Sequence, residues 1–276
     1  MKYLIINADD FGLSPGVSEG IMEAHNNGIL TSTSIMMNTS TVISDIKKMK
    51  LACPKIGTGV HLILTQGKPV LESEKVPSLI DSKGEFLKFH KHLFLKNFIK
   101  YDQVYEEWTA QIEKLLATGL EIDHLDSHHH ISYSNLELFE IMLFLSNKYS
   151  IPIRRFPKFS TVSQKILNEN SSVKKMINQF HPKWPDSLIT GFFNKSISKN
   201  IFSKTMEYGT QIKIIQNLQN GICEIMSHPG YVDQALMNLS KYNKKREKEI
   251  EILTDKNIRQ SIKKQGIKLI DFSCLK

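Results

Sequence analysis

The sequence predicts an α/β protein, an irregular seven-stranded parallel β/α barrel, and three observations lead to it. Seven short apolar runs rich in β-branched residues recur along the chain, helix-like stretches separate most of them, and chemistry-bearing side chains fall where the runs end. Alternation of strand and helix predicts parallel pairing. Seven strands suit an irregular or incompletely closed barrel better than an open doubly wound sheet.

Taken in order, the strands are expected at Tyr3 to Asn7, Thr31 to Met37, Ile56 to Leu62, Ile122 to Asp126, Ile151 to Arg155, Cys223 to Ser227 and Ile267 to Phe272. Helices are expected at Val17 to Asn26, Tyr105 to Thr118, Asn135 to Tyr149 and Ile258 to Gln265. Two intervals, at about 66–100 and 156–210, are too long for simple connections and read as insertions, where recognition loops are commonly found. The second holds Pro157, Pro182 and Pro185. No linker, repeat or low-complexity tract divides the 276 residues, so one domain over 1–276 is expected.

Composition narrows the function. The formal charge is +8, but Lys and Arg are scattered, and their densest run, Lys241 to Lys248, is interleaved with Glu in a helical-looking stretch that reads as a solvated face. Nucleic acid is therefore not an expected partner. The N-terminus lacks a secretory h-region, and no apolar run approaches the roughly 20 residues of a membrane span, which points to the cytoplasm and no membrane partner. Three scattered cysteines, Cys53, Cys223 and Cys274, form neither a disulfide framework nor a thiolate metal motif. A homodimer is the default expectation for such a chain.

The polar residues of interest cluster at the C-terminal ends of the expected strands, where parallel α/β barrels assemble their active sites. Asp9 and Asp10 follow the first strand, His61 ends the third, Asp126 and His128 to His130 close the fourth, Arg154 and Arg155 the fifth, and His228 follows the sixth. Each alone has a bland reading: an Asp pair caps a helix, and one His is more often a hydrogen-bonded core residue. Together they favour a metal site. Two adjacent ionised aspartates repel unless a cation or a shared proton is near. One carboxylate with two imidazoles, Asp10, His61 and His128, makes a facial ligand set for one divalent ion, Mg2+ or Zn2+, and leaves Asp9 as a free base.

The segments Asn7-Ala8-Asp9-Asp10-Phe11-Gly12-Leu13-Ser14, Gly28 to Ser34, Gly59-Val60-His61-Leu62-Ile63-Leu64-Thr65, His124-Leu125-Asp126-Ser127-His128-His129-His130 and Ser227-His228-Pro229-Gly230 resemble the YdjC-like carbohydrate deacetylases, including the chito-oligosaccharide type. The resemblance implies a polysaccharide-deacetylase-like barrel and removal of N-acetyl groups from an amino-sugar oligosaccharide such as chitobiose. It implies metal binding by Asp10, His61 and His128, with Asp9 as catalytic base and His228 as general acid. Arg155, in Arg155-Phe156-Pro157, is the better match for the arginine that steadies the base, with Arg154 the alternative. Asp126 would orient an imidazole from behind.

Two positions depart from the family pattern: Ile131-Ser132 stands where many relatives carry a further His, and Ser18 where Asn is common. Sugar-stacking candidates are Phe11, Trp184, Phe192, Phe193 and Tyr231, each also a natural core residue. Competing expectations are a metal-dependent phosphoesterase, which would need two or three ions, and a non-catalytic carbohydrate-binding protein on the same scaffold.

Overall fold

The computed structural model describes residues 1–88, 98–158, 160–166, 172–192 and 209–276 of the chain. The strand β1 (Lys2–Phe11) is the axis of the sheet. Its apolar residues are buried on both faces, as expected of a strand in a parallel sheet covered by helices. It is followed by α1 (Pro15–Asn26), β2 (Ser32–Ile35), α2 (Val42–Ala52), β3 (Gly57–Leu62), α3 (Tyr101–Leu116) and β4 (His124–Ser127). Then come α4 (Leu136–Tyr149), α5 (Thr161–Ile166), α6 (Ser172–Phe180), β5 (Ser187–Ile189), α7 (Gly209–Gln216) and β6 (Gly221–Ser227). The chain ends with α8 (Gln234–Leu239), α9 (Lys244–Thr254), α10 (Lys256–Lys264) and β7 (Lys268–Leu269).

All the strand pairs are parallel, in the order β4-β3-β2-β1-β6-β5, with β7 on β1. The sheet curls into a half-barrel flanked by helices. One edge of β1 is shared: Tyr3 and Leu4 pair with β7, and Asn7 to Phe11 pair with β2. Helix starts follow the local chemistry: Ser14 caps α1 through Val17 N–H with Pro15 at its first position, and Asn135 caps α4 through Leu138 N–H.

The expected fifth strand is corrected. Ile151 to Arg155 makes a single parallel bridge, Leu125 with Ile153, because Pro152 has no N–H to extend a ladder. Pro152 C=O and Arg154 N–H bond Leu125, and Ile153 N–H bonds Lys183 C=O, so this short segment spans part of the gap between β4 and β5. The observed β5 lies inside the expected 156–210 insertion and is only three residues long. The expected seventh strand shrinks to Lys268–Leu269.

The half-barrel interior is polar where it meets the strand ends. Asn7, Ser34, His124, Asp126, Arg154 and Glu224 are each fully buried and bonded to one another. Ser34 Oγ lies at the centre: it accepts from Asn7 Nδ2 (2.7 Å), donates to Asp126 (2.7 Å) and lies 3.0 Å from His124 Nε2. The apolar core lies outside this network, between sheet and helices, with Trp108, Phe139 and Leu115 among its fully buried members. Among the described residues, no helix is long and apolar enough to cross a membrane.

Candidate metal centre

Successive strand residues face opposite sides, so Asp9 and Asp10 could not both reach one site from a regular strand. The chain solves this with a bulge. The β1 register with β2 slips by one residue between Ala8 and Phe11, and Asp10 adopts a left-handed φ of 72°. Asp tolerates that region better than most residues, and the backbone is held by Leu13 N–H to Asp10 C=O and Met36 N–H to Phe11 C=O. Both carboxylates then face the same cavity.

Asp10 Oδ1 lies 3.0 Å from His128 Nδ1 and 3.4 Å from His61 Nε2, and those two nitrogens are 3.3 Å apart. Three atoms each about 2.1 Å from one ion have such spacings, about 3.0 Å at a right angle and 3.4 Å at a tetrahedral one. The outer nitrogens are already engaged: His61 Nδ1 with Asp126 Oδ1 at 2.7 Å, and His128 Nε2 with Gln66 Oε1 at 3.0 Å. Those bonds aim the inner nitrogens at Asp10, an arrangement typical of histidine ligands. Asp10 Oδ1 is buried without a hydrogen-bond partner, whereas Oδ2 accepts from Arg246 Nη2 at 2.6 Å.

The electrostatics agree with a cation at this point. Burial pushes the Asp10 carboxyl up, but Arg246 and then His128 hold it well below the usual range. Burial lowers His61, and Asp126, Asp10 and Asp9 outweigh it, pushing its pKa up to about 10. Four buried carboxyls, Asp9, Asp10, Asp126 and Glu224, face two guanidiniums, and a bound divalent ion would supply positive charge in place of the proton that His61 otherwise holds. The residues present therefore fit one metal ion. A second grouping, Asp9, His61 and Asp126, shares His61 with the first, and Arg154 already occupies its carboxylates.

The arginine beside Asp9 is Arg154, not Arg155. Arg154, with no exposed surface, donates Nη1 to Asp9 Oδ2 (2.7 Å) and Nη2 to Oδ1 (2.6 Å), reaches Asp126 at 2.8 Å, and gives Nε to Glu224 (2.7 Å). Tyr133 O–H donates to the Arg154 carbonyl. Adjacent residues in extended chain point apart, so Arg155 faces outward, its guanidinium over the rings of Phe156 and Trp184, 5.3 Å from each. Burial pushes the Asp9 carboxyl up, and Arg154 with its hydrogen bonds brings it below the usual value. Burial raises Glu224 to about 7 against the pull of Arg154.

His228 stands on the far side, about a quarter exposed, with Nε2 3.9 Å from Asp9 Oδ2. Its backbone N–H donates to Glu249, which also accepts from Tyr242. His129 and His130 follow His128 in left-handed conformations, and burial, with His128 and Arg154 respectively, pushes them down to about 3 and about 4. The cavity formed by these groups has a volume of about 320 Å³.

Sequence reasoning missed Arg246, Glu249, Glu224 and Gln66. The stretch read as a solvated face carries Arg246 at 2 % exposure. A signal was present: Arg246, Glu249, Ile250 and Leu253 share one helical stripe, and the apolar pair marks that stripe as the buried one. Of the aromatic candidates, Phe11 and Phe192 are core, Trp184 packs on Phe156, Tyr231 is exposed, and Phe193 lies outside the described residues. Of the two departures from the family pattern, Ser132 Oγ bonds Ser127 Oγ, and Ser18 Oγ accepts from Gly12 N–H and donates to Asp45.

The sequence model described as YdjC-like protein matches residues 3–264. The chain belongs to the YdjC-like family. This YdjC-like chain is 37 % identical to a carbohydrate deacetylase of Thermoanaerobacter pseudethanolicus over the full length of both, and 34 % identical to one of Enterococcus faecalis, covering 99 % of this chain and 98 % of the relative. A solved Enterococcus faecalis structure, described as a cellobiose-phosphate cleavage protein, superposes with a TM-score of 0.84 at 32 % identity, covering 99 % of the YdjC-like chain and 98 % of the other. The lactam utilization protein of Thermus thermophilus, 11 % identical with a TM-score of 0.51, shares the fold alone.

Proposed function

We propose that this chain is a metal-dependent deacetylase that hydrolyses N-acetyl groups of amino-sugar oligosaccharides such as chitobiose. The observation that carries the reading is an open ligand triad, Asp10, His61 and His128, with a second ionised carboxylate, Asp9, in the same cavity and not needed as a ligand. The full-length relatives bearing the name carbohydrate deacetylase support the saccharide and the acetyl group.

Asp10, His61 and His128 would hold one divalent ion, which when bound makes a water more acidic and draws charge from an acyl oxygen. Asp9, kept ionised and oriented by the Arg154 fork, accepts the proton from the attacking water. His228, its Nε2 3.9 Å from Asp9 Oδ2, donates a proton to the departing amine nitrogen as its bond to the acyl carbon breaks. Acetate and a free amine leave. Arg246 engages Asp10 Oδ2 and so leaves Oδ1 as the oxygen that would hold an ion. Arg154 positions the base, and Arg155 takes no part.

A phosphoesterase on this scaffold would gather two or three ions; among the described residues the candidate groups overlap on His61, which favours a single one. A pure binding protein gains nothing from an ionised carboxylate beside the ion. The test is acetate release from N,N′-diacetylchitobiose by the purified protein, with chelator and then with added zinc or magnesium. Metal-dependent acetate is expected. No acetate under either metal would overturn the reading.

A further inference from the structure

Helix α3 packs against β3 and buries two stripes of side chains. Val104, Trp108, Ile112 and Leu115 form the apolar stripe that an amphipathic helix is expected to bury. Gln103, Glu107 and Gln111, spaced by four and so stacked along one side, are buried beside it, the last two with no exposed surface. Burying such groups is costly unless each is hydrogen-bonded, and none of the three lines the catalytic cavity.

Each binds the segment that leaves β3. The Gln111 carboxamide accepts from Ile63 N–H (2.8 Å) and donates to Ile63 C=O (2.9 Å), meeting both backbone groups of the residue just past the strand, where the ladder to β4 stops. Glu107 Oε1 accepts from Val70 N–H (2.8 Å) and Oε2 from Leu71 N–H (3.0 Å), and Gln111 Nε2 also donates to Oε1 at 2.8 Å, which joins the two side chains into one unit. Gln103 Oε1 accepts from the N–H and O–H of Ser78, farther along the chain.

Residues 64–69, between the Ile63 and Val70 anchors, form a turn against the histidines of the metal centre. Thr65 Oγ1 lies 3.0 Å from His129 Nδ1, and Gln66 Oε1 lies 3.0 Å from His128 Nε2. Asn38 Nδ2 holds the middle of the turn through the carbonyls of Gln66 and Lys68. Irregular backbone must find partners for its polar groups outside itself, and at both ends of this turn α3 provides them. Hydrogen bonds weaken steeply when misplaced, so the position of those ends decides whether Gln66 reaches His128.

We infer that Glu107 and Gln111 are positioning residues of the metal centre: by fixing both ends of the 64–69 turn they hold Gln66 on His128 Nε2, and so aim the His128 Nδ1 that faces Asp10. Neither touches the ion or the substrate. Gln103 binds outside the turn and has a structural part only. The inference rests on the metal reading above and extends the centre to a helix that the cavity does not reach.

The Zn2+ affinity of the full chain, read by competition with a chromophoric chelator, tests it together with thermal melting. Gln66→Ala removes the acceptor for His128 and should weaken binding by about 10-fold. Glu107→Ala should weaken it by a similar factor, and the double variant should match Gln66→Ala to within about 2-fold, because both changes act through one bond. Glu107→Gln keeps the side-chain volume but turns an amide NH2 toward N–H donors, so it should show the same loss even if Glu107→Ala does not fold. Gln103→Ala should lower the melting temperature and leave the affinity unchanged. Unchanged affinity in folded Glu107→Gln, losses that multiply to about 100-fold in the double variant, or an equal loss in Gln103→Ala overturns the inference. The expected pattern in a parent protein that releases no acetate would leave the positioning role standing and remove the deacetylase reading, whereas a parent that binds neither Zn2+ nor Mg2+ overturns both.

Discussion

Replacing Arg154 by Met removes the one cation that touches Asp9, Asp126 and Glu224 together. All four side chains are essentially excluded from water. Truncating one partner of a buried ion pair costs about 3–5 kcal/mol, because the charge left behind has neither water nor a counter-ion. For a chain of this size, 1 kcal/mol moves the melting temperature by about 2–4 °C, so a loss on the order of 10 °C is expected at neutral pH. The sign of the pH dependence is diagnostic. In the parent, Asp9, Asp10 and Asp126 are held below their usual pKa values, so their stabilisation is present above the ordinary carboxylate range and is lost as pH falls through the lowered values. Without Arg154, burial dominates and the folded-state pKa values of Asp9 and Asp126 rise, so the variant loses stability as pH rises and its deficit shrinks toward pH 5. Melting of parent, Arg154→Met and Arg155→Met at pH 5 and pH 8, with chelator throughout, measures this. Arg155→Met, which loses only its contacts with the Phe156 and Trp184 rings, should cost no more than about 1–2 kcal/mol, and the same amount at both pH values. A deficit for Arg154→Met that is below 2 °C at pH 8, or larger at pH 5 than at pH 8, would refute the reasoning.

Other consequences are equally open to measurement. Asp9→Asn should retain metal while turnover falls by about 10²–10⁴, whereas His61→Ala or His128→Ala should lose both; metal content after dialysis and acetate release together separate the cases. Arg246→Gln frees Asp10 Oδ2 and should weaken metal affinity by about 10–100-fold with the fold intact, read by competition with a chromophoric chelator; unchanged affinity would remove Arg246 from the site. His228→Ala should slow amide hydrolysis far more than hydrolysis of an activated acetyl ester, whose leaving group needs less protonation, and equal losses on both would count against the proton-donor role. A Cβ at Gly59 would lie 2.3–2.5 Å from the His124 ring, which stacks on Phe272, so Gly59→Ala should cost about 1–3 kcal/mol in a denaturant titration.

The strands β1, β3, β4 and β6 and the helices α1, α3, α4 and α10 were legible because each is long enough, or apolar enough, for its period to show. Strand ends then located Asp9, Asp10, His61, His128 and His228, since in a parallel sheet the chain order of the strands is enough to say which ends lie together. Beyond that point local pattern is silent. Whether Arg154 or Arg155 meets Asp9 depends on which way one residue of an extended segment faces, and Pro152 reduces that segment to a single bridge whose facing is set by Leu125 and Lys183. The bulge that turns Asp10 toward Asp9 is a register slip against β2, a property of two strands and not of one. Arg246 comes 236 residues after Asp10, and its charge resembled a solvated run until the docking of α9 buried it. Sequence by itself determined which elements form and which end of the sheet carries the chemistry, because these follow from periodicity and connection; tertiary structure decided which charges pair, because Coulomb attraction and burial act on distances that only the closed fold defines.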